Sequence, residues 1–170
     1  MRLKKSGAKY RAFTQTEVIT KSGVTPVSII GNGQGSMTIL SENLKVGSTL
    51  RITQTGKMSS GTSTTGAVTL KINSTTAFGT AGTLPNNLNE AGLRAIWDLT
   101  VKAIDSTNIT FQAAVHSGIN STAFVNVFNR ISCVEVVVPI ASSYIFDLLY
   151  NFNDTDGIIK TGQTIFEVGY

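Results

Sequence analysis

Few side chains in this chain could do chemistry, and they are not grouped. His116 is the single histidine and Cys133 the single cysteine. Zinc clusters built from Cys and His are therefore excluded by count, and a Cys–His nucleophile pair would need two separate segments to meet. His116 falls on the strand face opposite Ile109, Phe111 and Val115, beside Ser117 and Gly118. That placement reads as an exposed strand-end residue rather than a general base. Cys133 sits in the apolar run Ile131 to Ile140 and reads as a buried, inert thiol with no disulfide partner in the chain. The acidic residues are scattered singly, so no carboxylate pair is set up for glycosidic work. NFNDTDG (151–157) is the nearest approach to a calcium loop. With Gly157 on the loop glycine, Phe152 takes the first ligand position and Gln163 the place of the bidentate Glu, so the fit fails. A hairpin turn at Asp156 and Gly157 accounts for these residues better. GNGQGS (31–36) lacks the lysine of a P-loop and the spacing of a dinucleotide fingerprint. Neither an enzyme nor a cofactor is expected.

Charge is sparse and unevenly placed. Charged residues make up 14% of the chain, against about 25% in an average soluble protein. Weak surface charge suggests that part of the surface is covered by other subunits. Residues 1–21 carry Arg2, Lys4, Lys5, Lys9, Arg11 and Lys21 against Glu17 alone, whereas residues 22–170 hold eight basic and nine acidic side chains. The basicity thus belongs to an N-terminal arm, taken as residues 1–30, with the domain proper at 31–170. Arg2, Lys4, Lys5, Lys9 and Arg11 are its candidate anchoring residues, suited to docking on an acidic protein surface. So small a charge, with Tyr10 and Phe13 as its aromatics, argues against nucleic acid as the partner. The N-terminus has charge but no apolar stretch after it, which excludes a signal peptide, and no run is long enough to span a membrane as a helix.

The elements that must position these groups are strands. Thr (23 residues) and Gly (16) are plentiful, and β-branched Thr suits a pleated surface better than a helix. AIWDLTVKAI (95–104) sets Ala95, Trp97, Leu99, Val101 and Ala103 on one face and Asp98, Thr100 and Lys102 on the other. AVTLKIN and NITFQAAVHSG repeat this period of two, the pattern of a sheet with one wet side. SMTIL begins a strand after the GNGQG loop, and ISCVEVVVPI is apolar enough to be covered on both faces, with Pro139 at its end. Only LPNNLNEAGLRA (84–95) could hold a turn or two of helix, with Asn89 as its cap. About eight strands with Gly- and Thr-rich turns predict an all-β fold, an antiparallel β-sandwich of the jelly-roll kind.

One set of strand motifs is familiar. Leu44-Lys45-Val46-Gly47-Ser48-Thr49-Leu50-Arg51-Ile52, with Gly56 following, resembles a strand entry common in phage and other viral structural proteins. Ala67–Ile72, the tryptophan strand Trp97–Val101 and the final strand Ile165–Val168 match the continuation of that pattern, over roughly residues 36–170. Ser48 stands where such proteins usually carry Asp, and residues 1 to about 30 match nothing in the pattern. The resemblance implies a jelly roll serving in a virion as a head fibre, spike, decoration or receptor-binding module, usually a homotrimer. It would be made in the host cytoplasm and joined to capsid or other virion proteins through the arm, with a host surface glycan as a further partner. Two alternatives stay open: a single-jelly-roll capsid or penton protein, and a carbohydrate-binding module with Tyr144, Tyr150, Phe152 and Tyr170 as its sugar platforms.

Overall fold

Alternating burial is the organising feature of the chain, because a strand with one apolar face can hide it only against another sheet. A computed structural model describes residues 9–84, 86–120 and 132–169. Among them the strands are β1 (Lys9–Gln15), β2 (Thr20–Ser22), β3 (Val27–Ser28), β4 (Gly33–Gly35), β5 (Thr38–Leu40), β6 (Thr49–Ser59) and β7 (Thr65–Ile72). They continue with β8 (Thr75–Thr83), β9 (Ala91–Ile104), β10 (Asn108–Asn120), β11 (Ser132–Pro139), β12 (Ser143–Phe152) and β13 (Ile158–Gly169). The only helical turn among the described residues is a 3-10 turn at Ser41–Asn43.

The strands form two antiparallel sheets, and the expected all-β sandwich is present. The larger sheet runs β11-β10-β9-β6-β13-β1-β4 with β2 also on β13; the smaller runs β3-β12-β7-β8 with β5 also on β12. Pairing is nested in the chain: β6 with β13, β7 with β12, and β9 with β10. The β9–β10–β11 meander stays in one sheet, so the two layers divide unequally.

The core lies between the layers. Leu50, Ile52, Trp97, Leu99, Phe111, Val115, Phe166 and Val168 face inward from the larger sheet, and Leu70, Ile72, Tyr144, Phe146 and Leu148 from the smaller. Trp97, at 1% exposure, belongs to this core, in register with Ile52 and Val115. Phe146 of β12 meets Phe111 of β10 edge-on at 6.3 Å and Phe166 of β13 at 5.0 Å, so one ring ties the smaller sheet to two strands of the larger one. Such contacts add to the burial of the rings themselves.

Three expectations are corrected. From Lys9 onward, the segment expected as an arm is part of the sandwich. β1 pairs with β13 and β4, Phe13 and Gln15 point into the interior, and the Gln15 amide donates to Thr161 Oγ1 at 2.9 Å and to the Glu17 carbonyl at 2.6 Å. Gly33 and Gly35 of the expected GNGQG loop instead form β4, paired to β1 in an approach so close that a side chain at Gly33 would collide with the Thr14 carbonyl and the Phe13 ring. Arg2, Lys4 and Lys5 lie outside the described residues. Second, no helix forms at 86–95. Asn87 and Glu90 have φ of 55° and 48°, outside the right-handed helical region, while buried Leu84 and Leu88 bond through their N–H groups to the Thr64 carbonyl and Ser60 Oγ. Third, the Asn153–Gly157 turn is not a hairpin: it carries the chain from the smaller sheet to the larger. Asp154 Oδ1 accepts from the N–H groups of Asp156 and Gly157, both at 3.0 Å, an Asx turn that serves either connection.

Replacing the bridging ring tests this account of the core. Phe146→Ala is expected to destabilise the protein by about 3–5 kcal/mol, whereas Ile145→Ala, at a neighbouring exposed position, should cost less than about 0.5 kcal/mol. Chemical denaturation of both variants checks the contrast.

Candidate functional site

The antiparallel order gives the sandwich two ends of different character. At one end β6, β10 and β12 begin and β9, β11 and β13 finish, and Lys9 opens β1 there opposite Gly169. This Lys9 end also holds the loops at 41–48, 105–107 and 140–142. Residues 1–8 join the sandwich at this end through Lys9. At the other, Asp154 end lie the loops at 60–64, 86–90 and 153–157.

Among the described residues, exposed large apolar side chains are concentrated toward the Lys9 end. Tyr10, Leu40, Val46, Ile104, Val137, Ile140 and Ile145 all lie at it or in the strand segments next to it, leaving Val18 and Val24 elsewhere. Val46, at 60% exposure, is displayed by a rigid turn. Gly47 takes φ +90°, a conformation favourable to glycine. The Gly47 N–H donates to the Val101 carbonyl at 2.8 Å, and Ser48 Oγ accepts from the Lys45 N–H at 3.0 Å. The neighbouring turn is equally tied. Asp105 Oδ1 accepts from the N–H groups of Thr107 and Asn108 at 2.7 and 2.8 Å, contacts that hold its carboxyl below the usual range. Ile140 donates its N–H to the Thr107 carbonyl, which fixes its loop against that turn.

Beside this end, on the outer face of the larger sheet, the strand registers line up a row of alternating charge. Arg11 stands opposite Glu167, Glu167 opposite Arg51, and Arg51 opposite Asp98. Arg51 Nε donates to Asp98 Oδ1 at 2.6 Å and Nη2 to Oδ2 at 2.9 Å. The paired carboxylate raises the Arg51 pKa further. Both side chains are more than a third exposed, so the pair contributes at most about 1 kcal/mol to stability. Next to this row lies Lys9, Gly169, Thr49 and Thr100. The two rows enclose a groove of about 280 Å³ lined by Lys9, Thr49, Arg51, Asp98, Thr100 and Glu167 and by the chain at Leu50, Leu99 and Gly169.

Of the residues singled out from sequence, Lys9 and Arg11 are therefore found on β1, beside the groove. Tyr144, Tyr150 and Phe152 are core residues, exposed by 3% or less, and cannot be sugar platforms. Burial pushes the Tyr150 phenol upward, and its hydroxyl reaches Met58 Sδ at 3.6 Å. Tyr170 lies outside the described residues, and so does the side chain of Cys133. His116 is exposed, and no group of His, Cys, Asp and Glu able to hold a metal is found among the described residues. No described helix is long and apolar enough to cross a membrane. In sequence Asp98 falls on the wet face of its strand, Arg51 sits in the strand-entry motif and Glu167 in the final strand; their grouping depends on cross-strand register, which alternation alone does not fix.

The described loops of the Asp154 end, at 60–64, 86–90 and 153–157, are polar and cross-linked. Thr64 Oγ1 donates to Asp154 Oδ2 at 2.8 Å, Asn153 Oδ1 accepts from the Thr65 N–H at 2.7 Å, and Asn86 Oδ1 accepts from the Ser63 N–H at 3.1 Å. Glu90 pairs with Lys160 and, at 2.9 Å, with Lys57.

No protein-family model and no curated protein matches the chain. Among solved structures it is similar to the CBM2 module of the evolved Dit of Lactobacillus casei BL23 phage J-1, with 10% identity over 95% of this chain and 96% of that one and a TM-score of 0.36. At that score and identity the likeness assigns neither function nor partner.

The Glu90 cluster has a definite pH signature. Lys160 first and Lys57 second lower the Glu90 pKa from its ordinary 4.5 to about 2. A depressed carboxylate pKa contributes stability that is complete above the ordinary value and lost as pH falls through the lowered one. Melting temperature should therefore fall less steeply between pH 4.5 and 2 in Glu90→Gln than in the unaltered protein. Parallel curves would show that the cluster is not formed in solution.

Proposed function

We propose that this protein is a non-catalytic structural component of a virus particle, most simply of a phage, serving as a fibre, spike or decoration. It is seated through its Lys9 end, with the Asp154 end outward. The observation that carries this reading is the coincidence of two features at one end. The basic N-terminal segment joins the sandwich where most of the exposed large apolar side chains among the described residues are gathered. A soluble domain gains nothing from such a concentration unless something covers it, and basic groups around an apolar seat suit an acidic docking surface. The viral-type motifs add support, because the segments that carry them are the strands β6, β7, β9 and β13, and three of these are neighbours in the larger sheet. The described loops at the opposite end, polar and tied, make a surface that can vary in sequence without disturbing the core.

Seating separates from folding by experiment. Removal of residues 1–8 leaves β1 in place, whereas a longer deletion would strip a strand from the larger sheet. The shortened protein is expected to keep its melting temperature but to fail to incorporate into particles. Val46→Asp and Ile140→Asp should each weaken incorporation at least about tenfold, since burying a Val or Ile at an interface contributes up to about 1.5–3 kcal/mol. Normal incorporation of all three would overturn the seating. Altered oligomer mass with normal incorporation would instead make the Lys9 end a seam between copies, as in the trimeric reading.

A further inference from the structure

We infer that the groove on the outer face of the larger sheet is a binding site for a sugar ring. The inference stands on the groove and does not require the particle reading. Its lining decides the class of ligand. Lys9 and Arg51 supply cationic donors, Asp98 and Glu167 anionic acceptors, and Thr49 and Thr100 hydroxyls that both donate and accept. Leu50 and Leu99 turn their side chains into the core, so the carbon surface of the groove belongs to the backbone and to the stems of its polar side chains. An apolar molecule would cover those stems but leave the charged groups without partners. A phosphate or nucleic acid backbone would meet two carboxylates, and a basic peptide would meet Lys9 and Arg51. A ring bearing hydroxyls, each both donor and acceptor, satisfies groups of both kinds at once.

The groove is prepared for such a ligand in two ways. The bidentate contact holds Arg51 and Asp98 in a fixed orientation yet engages only two of the five guanidinium N–H groups, leaving three for a ligand. Gly169 keeps the floor open: a Cβ there would come within 2.7 Å of Thr49 Oγ1 and 3.2 Å of Lys9 Cγ. The volume of about 280 Å³ lies at the lower limit of ligand clefts, which suits one ring rather than a long oligosaccharide. Val46 and Ile140 are not among the residues that line the groove, so seating through those two side chains does not use its walls. A groove of this size gives weak binding per copy, which several copies on one particle would multiply.

Titration of ¹⁵N-labelled protein tests the site, using glucose, galactose, N-acetylglucosamine and rhamnose, each to about 20 mM so that a millimolar site is largely filled. Sodium phosphate is the polar control. At least one sugar is expected to shift the amides of residues 49–51, 98–100 and 167–169, while phosphate leaves them in place. Glu167→Gln should weaken that sugar at least about tenfold, the effect of losing one charge-assisted hydrogen bond. Gly169→Val, which fills the floor without removing a polar group, should abolish it. Spectra of the unliganded variants establish that each is folded, and both should incorporate normally wherever the unaltered protein does. No shifts with any of the four sugars, shifts confined to other surfaces, or phosphate binding as well as sugar would each overturn the assignment.

Discussion

A single ring, Phe146, holds the position on which the two layers depend. It stands on β12, the strand that collects β3, β5 and β7 in the smaller sheet, and it packs against Phe111 and Phe166 on two separated strands of the larger one. Between those strands in the sheet lie β9 and β6, whose Trp97, Ile52 and Leu50 fill the remaining space. Burial is non-directional, so by itself it would let the sheets slide. Rings that meet edge-on restrict the sliding and so fix which loops share an end.

The two ends and the groove all follow from that registration. Because β6, β9, β13 and β1 are locked side by side with known partners, charges spaced far apart in the chain fall into one row. Opposite charges directly across a sheet are favourable, and like charges are not. The row Arg11, Glu167, Arg51, Asp98 therefore also disfavours pairings shifted by two residues, which would keep the core facing inward but bring other groups opposite these charges. A feature that looks like decoration on a wet face thus helps specify the sheet whose core is otherwise generic.

Much of this was legible in the sequence, and the failures have physical reasons. Strict alternation around Trp97 and around Phe111 located β9 and β10, since a half-buried strand has no other way to be written. β1 was hidden because its charges dominate the segment and one of its inward side chains is Gln15, whose burial makes sense only once Thr161 is beside it. The Asp154 turn was correctly seen as a turn but given the wrong destination, because Asx-turn chemistry is local and the choice of sheet is not. Of the groove, Lys9 alone was singled out beforehand. Arg51, Asp98 and Glu167 sit on three different strands, and their meeting is a property of register.

The placement of β1 has a mechanical consequence. Its bonds to β13 run across the strand axis, and Lys9 opens it at the end where Gly169 closes β13. A pull on Lys9 along that axis would load the β1–β13 and β1–β4 bonds together, in shear, rather than opening them one after another from an edge. Under such a load the strands lie lengthwise to the force, the direction in which a sheet yields last.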